Sequence, residues 1–306
     1  MVLPLAMALA MSGNPAHATD LPLQRVAQAA LGNRPGTIVA LNAKDGRLLA
    51  VINPRVAAGG AYPIGSLAKL VTGMAALEAR AIDGARTFPC KGRFERWKCW
   101  QIHGNQTLEE AIAHSCSSFF FAAGRELGAR RLNQAFTRAG FGRSTGSDLP
   151  AEAAGTFTPA RNRAELTELA YGDTPALQAT PLQVAAWMGA IANGGTRYRP
   201  HLGSKSPQVL GLLSGAAAIA NIQTGMRRAV LEGSANKADF PGLSVYGKTG
   251  TSTQLRAGAR DSENRNRHHG WFAGFAGELV VVVFVKDGSG YADAAPIARE
   301  VFAAWH

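Results

Sequence analysis

Apolar and polar positions divide the chain into recognisable elements. Between Thr37 and Asn53, "TIVALNAKDGRLLAVIN", two β-rich runs flank Ala43-Lys44-Asp45-Gly46, and Asp-Gly at the turn predicts a hairpin. The next long segment, "GSLAKLVTGMAALEAR", repeats its apolar residues at helical spacing, with Ser66 near its start. Leu108 to Leu127 and Thr180 to Ala192 also have a helical pattern. The second is apolar enough to be buried and stops at Asn193-Gly194-Gly195. Towards the end, "LSVYGKTGTS", "HGWFAGFAG" and "ELVVVVFVKDG" predict consecutive strands, and "AAPIAREVFAAWH" a closing helix. The order is therefore strands, many helices, strands and a helix, with no internal repeat or low-complexity linker. Phe119, Phe120 and Phe121 belong to the core on this pattern.

Composition adds a size and a compartment. With 306 residues, 46% hydrophobic and 17% charged, the chain can bury a full core. A formal charge of +11 suits an anionic partner or simply a basic solvated surface. The run "MVLPLAMALAMSGNPAHATD" is short, apolar and ends in Ala16-His17-Ala18, a pattern that signal peptidases cleave. The expectation is a leader over residues 1–18, shortened at its start because no Lys or Arg precedes it. The mature domain over 19–306 is then periplasmic or secreted. No stretch reaches the ~20 apolar residues that a membrane span takes.

An oxidising compartment bears on the cysteines. Cys90 and Cys99 close the small loop "CKGRFERWKC", and a disulfide between them is expected, leaving Cys116 reduced. A zinc site from Cys90, Cys99 and His103 is the alternative, but it lacks a clear fourth ligand.

Two lysine-containing motifs compete for the chemistry. Gly242 to Thr249 satisfies the phosphate-loop pattern G-x-x-x-x-G-K-[ST]. Such a loop needs an apolar strand before it and a helix straight after its lysine, to supply free N–H groups. Here "EGSANKADFP" precedes and a polar stretch without periodicity follows, so no nucleotide is expected. Ser66-Leu67-Ala68-Lys69 is S-x-x-K at a helix start, where residues three apart share a face. Burial and a second cation, Lys248, would depress the Lys69 pKa and make it a base for the Ser66 hydroxyl.

The ordered set of "YPIGSLAKL", "FPCKG", "CWQIHG", "TLEEAIAHSCSSFFFAAGREL", "GDTPALQATPLQVAAWMGAIANGGTRYRPHL" and "YGKTGTS" followed by "HGWFAGFAG" resembles the transpeptidase domain of class B penicillin-binding proteins, from about Thr37 to the C-terminus. The resemblance implies an α+β fold of the β-lactamase/transpeptidase type: an antiparallel sheet covered by helices, with a mostly helical lobe. It implies serine acyl transfer on D-Ala-D-Ala peptidoglycan stem peptides, with β-lactams as inhibitors, cell-wall synthesis proteins as possible partners, and neither metal nor cofactor. On that resemblance Ser66 is the nucleophile, Lys69 its base, Ser115 the proton relay and Lys248 an electrostatic tuner. Thr249, Gly250 and Thr251 form the substrate-binding segment, the threonines holding the carboxylate, and the N–H groups of Ser66 and Thr251 make the oxyanion hole.

Some positions depart from the family pattern. Its second motif, Ser-x-Asn or Ser-x-Asp, stands here as Ser115-Cys116-Ser117, so the substrate-contacting side chain is shortened to the Ser117 hydroxyl. Its Gly-Gln-Gly loop stands as Gly172-Asp173-Thr174. Tyr171-Gly172-Asp173 imitates a β-lactamase motif, yet it lies just upstream of "TPLQVAAW". Glu165 and Glu168 read as a solvated helix face rather than a deacylation base. His268 and His269 are not needed by Ser-Lys chemistry. The run from Arg256 to Arg267 carries Asp261 and Glu263 with no interleaved aromatics, which argues against nucleic acid. The alternatives to an acyltransferase are a β-lactamase or β-lactam sensor on the same fold, or a non-catalytic scaffold.

Overall fold

A computed structural model describes residues 20–213, 215–253 and 268–305. The expected leader and the run Arg256 to Arg267 lie outside the described residues. The chain opens with helix α1 (Leu21–Leu31), which the sequence pattern did not single out; the Asp20 carboxylate caps it by accepting the Leu23 N–H at 3.1 Å. The predicted hairpin follows as β1 (Gly36–Asn42) and β2 (Leu48–Ile52). Then come α2 (Ala68–Glu78), α3 (Leu108–Ala113), α4 (Ser117–Leu127), α5 (Ala129–Ala139), α6 (Arg163–Tyr171), α7 (Pro181–Ala192) and α8 (Ala216–Leu231). Strands β3 (Tyr246–Thr253), β4 (His268–Ala276) and β5 (Leu279–Val285) and helix α9 (Ala295–Ala303) close the chain.

The long strands form one antiparallel sheet in the order β3-β4-β5-β1-β2. β5 is its central strand and every residue of LVVVVFV is buried, which explains why the run shows no polar alternation. Its side chains divide between two cores. Val280, Val282 and Phe284 join Trp187, Trp271 and the helical lobe, whereas Val281, Val283 and Val285 join Leu23 and Leu31 of α1 and Val301 and Phe302 of α9. With both faces apolar, the hydrophobic pattern does not fix the register. The turn does: Ala276 pairs with Leu279 across a two-residue loop, and Gly277 takes the φ of +55° that such a tight hairpin demands.

One predicted helix is two. The stretch Leu108 to Leu127 breaks after Ala113, where His114 ends α3, Ser115 adopts φ +55° and Cys116 is extended before α4 begins. The α3 start is secured by a capping box between Thr107 and Glu110, so its end is set elsewhere. At the break Ser115 meets Lys69, and Cys116 lies among Cys90, Cys99 and His103. α7 behaves as its pattern predicts, with a second capping box between Thr180 and Gln183 and burial on nearly every side. The three phenylalanines at 119–121 are buried core residues.

Candidate active site

The cleft between the sheet edge β3 and the helical lobe has a volume of about 720 Å3, and Ser66, Lys69, Ser115, Ser117, Thr249 and Thr251 all line it. Ser66 sits half-buried in a single 3-10 turn, Gly65–Leu67, that runs directly into α2. Gly65 has φ +52°, and a Cβ there would stand 2.7 Å from the Thr251 carbonyl oxygen. Only glycine lets this turn and β3 approach so closely.

Lys69 is 1% exposed. Its Nζ donates to the Ser115 carbonyl oxygen at 2.8 Å and lies 3.2 Å from the Ser115 hydroxyl and 3.0 Å from the Ser117 hydroxyl. The carbonyl only accepts, but either hydroxyl can accept from an ammonium or donate to a neutral amine, so the cage suits both protonation states. Burial lowers the Lys69 pKa to about 8, against the opposing pull of Cys99, Cys116 and Asp173. Ser115 reaches Lys69 with both carbonyl and hydroxyl from its left-handed turn, a backbone state that costs a serine about 1–3 kcal/mol. Although shorter than the family's Asn or Asp, Ser117 still contacts Lys69.

Lys248 lies behind the cleft wall, fully buried on β3, with Nζ donating to the Thr249 carbonyl at 2.9 Å. Burial, and then the charge of Lys69, hold its pKa well below the usual lysine range. The sequence reading has Lys248 depress Lys69. The structure gives burial as the cause for Lys69, while on Lys248 the charge of Lys69 adds to burial. The Thr249 hydroxyl donates to the Ser234 carbonyl at 3.0 Å, and the Thr251 hydroxyl accepts from the Gly290 N–H at 3.3 Å. Gly250 pairs with Trp271 and leaves room for the Ile64 carbonyl, which a Cβ would meet at 2.8 Å. Gly247, Lys248 and Thr249 are thus strand residues paired with β4, not a loop at a helix start.

Glu165, Glu168 and His269 fall outside the cleft. Glu165 forms an ion pair with Arg161 at the surface, and Glu168, half-buried, has its pKa raised by burial; neither is a lining residue. His269 is buried, its Nδ1 accepts the Asp287 N–H at 3.2 Å, and its ring packs edge-on against Tyr62. Tyr171 and Asp173 do line the cleft. So do Trp100, Gln101, Glu232 and Tyr291, which the sequence pattern did not reveal because they come from loops and helix ends without periodicity.

The cysteines differ from expectation. Cys90 and Cys99 are free thiols rather than a disulfide, and Cys116 is free beside them. Both lean toward one imidazole: His103 Nδ1 is 3.4 Å from Cys90 Sγ and 3.5 Å from Cys99 Sγ. The Ser117 N–H donates to Cys99 Sγ at 3.2 Å. The three sulfurs and the His103 nitrogen all lie within 4.8 Å of one another, so Cys116 is the fourth member that the sequence reading lacked.

The arrangement of S-x-x-K, Ser-x-Ser and Lys-Thr-Gly around one cleft has a counterpart among known proteins. The model of the penicillin-binding protein transpeptidase domain matches residues 36–303. The chain belongs to this family, in its class B. It is 28% identical to the peptidoglycan D,D-transpeptidase MrdA of Acinetobacter baumannii over 94% of this chain and 53% of that protein. Stage V sporulation protein D of Bacillus subtilis is 29% identical over 82% of this chain and 45% of its own length. The chain therefore spans about half the length of these curated relatives. Among solved structures, Pseudomonas aeruginosa PBP2 in complex with WCK 5153 superposes with a TM-score of 0.83 at 26% identity, over 94% of this chain and 77% of that one. The transpeptidase domain of Burkholderia pseudomallei penicillin-binding protein 3 shares the fold, with a TM-score of 0.84 at 20% identity over 94% of both chains. The penicillin-binding transpeptidase domain thus has here its antiparallel sheet, its helical lobe and a cleft between them.

Proposed function

We propose that this domain is an exported serine D,D-acyltransferase acting on peptidoglycan stem peptides, and that β-lactams acylate it at Ser66. The observation that carries this reading is the buried Lys69, held by Ser115 and Ser117 in the same cleft as the Ser66 hydroxyl. Neutral Lys69 takes the Ser66 proton as Oγ attacks the carbonyl of the penultimate D-Ala. The Ser66 and Thr251 N–H groups receive the oxyanion. Through Ser115 the proton passes to the leaving D-Ala amine, and an acyl-enzyme remains on Ser66. Thr249 and Thr251 supply hydroxyls for the terminal carboxylate, Lys248 behind them tunes the site electrostatically, and Gly250 keeps that strand close to the nucleophile turn. An amine acceptor then completes transpeptidation; water in its place gives carboxypeptidation. No helix among the described residues is long and apolar enough to cross a membrane, and the reading of export rests on the leader pattern.

Two features weigh against the alternatives. A β-lactamase needs a base for deacylating water, and Glu165 and Glu168 do not line the cleft. A non-catalytic scaffold has no need to bury a lysine at the strain cost seen at Ser115. The test is labelling with a fluorescent penicillin, followed by peptide mapping. Ser66→Ala is expected to lose the label while keeping its circular dichroism; label retained in that variant sinks the assignment. Release of stem-peptide D-Ala, with and without an added amine acceptor, separates the two transfer reactions.

A further inference from the structure

A short antiparallel hairpin, Thr196–Tyr198 with Val209–Leu212, follows the buried helix α7 and shares no residue with the catalytic cleft. Among the described residues Val209–Leu212 pairs with Thr196–Tyr198 alone, so its other side is a free sheet edge. Val209 is 59% exposed, Leu210 36% and Leu212 65%, and no charged residue occurs between Lys205 and Arg227. Sheet edges are commonly blunted by charge, because unpaired N–H and C=O groups beside apolar side chains recruit another strand. This edge has a bulge opposite Arg197 and Tyr198 but no charge of its own.

Beneath the edge lies a cation without a counter-ion. Arg197 Nη1 donates to the Ala139 carbonyl at 2.7 Å, which caps the C-terminal end of α5, and Nη2 donates to the Leu210 carbonyl at 3.3 Å. Its Nε is buried with no hydrogen-bond partner. Among the described residues no carboxylate pairs with Arg197 or with Arg143. The two arginines, Ser144 and Leu210 line a cavity of about 180 Å3. Burial, and then the charge of Arg143, hold the Arg197 pKa below the usual guanidinium range. Gly140 makes room for this arrangement, since a Cβ there would stand 1.2 Å from Arg197 Nη1. The apolar edge and the cationic cavity therefore meet at Leu210.

We propose that Val209–Leu212 accepts an extended, acidic segment of a partner protein as an added strand, with a carboxylate of that segment seated between Arg143 and Arg197. A strand adds at about 4.8 Å and alternates its side chains between the two faces. Main-chain bonds then supply the pairing, apolar side chains cover Val209 and Leu212, and an acidic one on the cavity side meets the guanidinium groups. The fit of a guanidinium fork to a carboxylate favours Asp or Glu over a neutral side chain. Charge decides against a second copy of this chain, because edge-to-edge pairing would set these arginines against a molecule of formal charge +11. The surface stands whether or not Ser66 is acylated.

The test uses the full chain and a short fluorescein-labelled peptide in which valine alternates with aspartate and glutamate. Fluorescence anisotropy is expected to show saturable binding that weakens as salt rises, and at least about 10-fold in Arg143→Glu and in Leu212→Lys, each variant keeping the wild-type Tm. Amide hydrogen exchange should slow across Val209–Leu212 when the peptide is bound. Lysine in place of the peptide's acidic residues, or N-methylation of its amides, should abolish binding. No saturable binding up to about 1 mM peptide overturns the proposal, as does equal affinity for the lysine peptide or binding that survives both variants. Sedimentation that shows a dimer of the chain alone, dissolved by Leu212→Lys, also overturns it and gives the edge to a second copy.

Discussion

Lys69 determines how the cleft responds to pH. Its pKa of about 8 in the folded protein lies below the ordinary lysine value of 10.5 because burial disfavours the ammonium. Penicillin acylation is therefore expected to rise with pH through about 8 and level off above it, and Lys69→Ala should abolish that limb; a rate that is flat from pH 6 to 9 contradicts Lys69 as base. The stability linkage has a definite sign. Between about 8 and 10.5 the unfolded chain holds the proton that folded Lys69 has lost, so stability attributable to this group rises with pH across that window. Ser117 yields a second expectation. Its hydroxyl reaches Lys69 but is shorter than the Asn of the family pattern, and a misplaced carbonyl can cost about 100-fold in rate. Ser117→Asn should raise stem-peptide turnover more than penicillin acylation, and measurement of both rate constants in each protein checks it. Ser66 and Lys69 were legible in the sequence because three-residue spacing on a helix is a local property. Cys116 as partner of Cys90 was not, since their meeting depends on how a hairpin folds back over the start of another helix.

Among the elements, the nucleophile turn and β3 depend on each other. Gly65→Ala forces a Cβ into the Thr251 carbonyl and places a side chain at φ +52°. Destabilisation of about 1–3 kcal/mol is expected, read as a lower Tm, with slower acylation than in wild type. Wild-type stability in the variant would mean that the turn and strand are free to part. The last three strands and α7 were readable from apolar runs and stop signals. The break between α3 and α4 was not, because the helical periodicity of Leu108 to Leu127 continues through it. What stops the helix there is a set of long-range contacts made by Ser115 and Cys116, and no local propensity reports such contacts. α1 escaped notice for a related reason: its apolar stripe of Leu23, Ala27, Ala30 and Leu31 is alanine-rich and weak until it meets the sheet.

At the scale of the whole molecule, the excess of basic residues bears on encounter rather than chemistry. The charge of +11 favours approach to an anionic polymer, and such attraction is screened within about 8–10 Å at 0.1–0.15 M salt. Co-sedimentation with purified cell-wall sacculi is expected to weaken as salt rises, whereas binding that ignores salt would assign recognition to the cleft alone. The sheet has a different consequence, one of timing. Its core joins β1 to β5, Gly36 opposite Val285, so the innermost contacts close a loop nearly as long as the domain itself. The hairpin β1–β2 leaves the ribosome early, and the free edge of β1 has no strand to pair with until the final strands exist. Contacts so distant in sequence make folding slow and all but impossible to complete from the N-terminal end. Under the export proposed above, that delay is an advantage: a sheet that cannot close before its last strands arrive leaves the polypeptide unfolded for passage through a membrane pore.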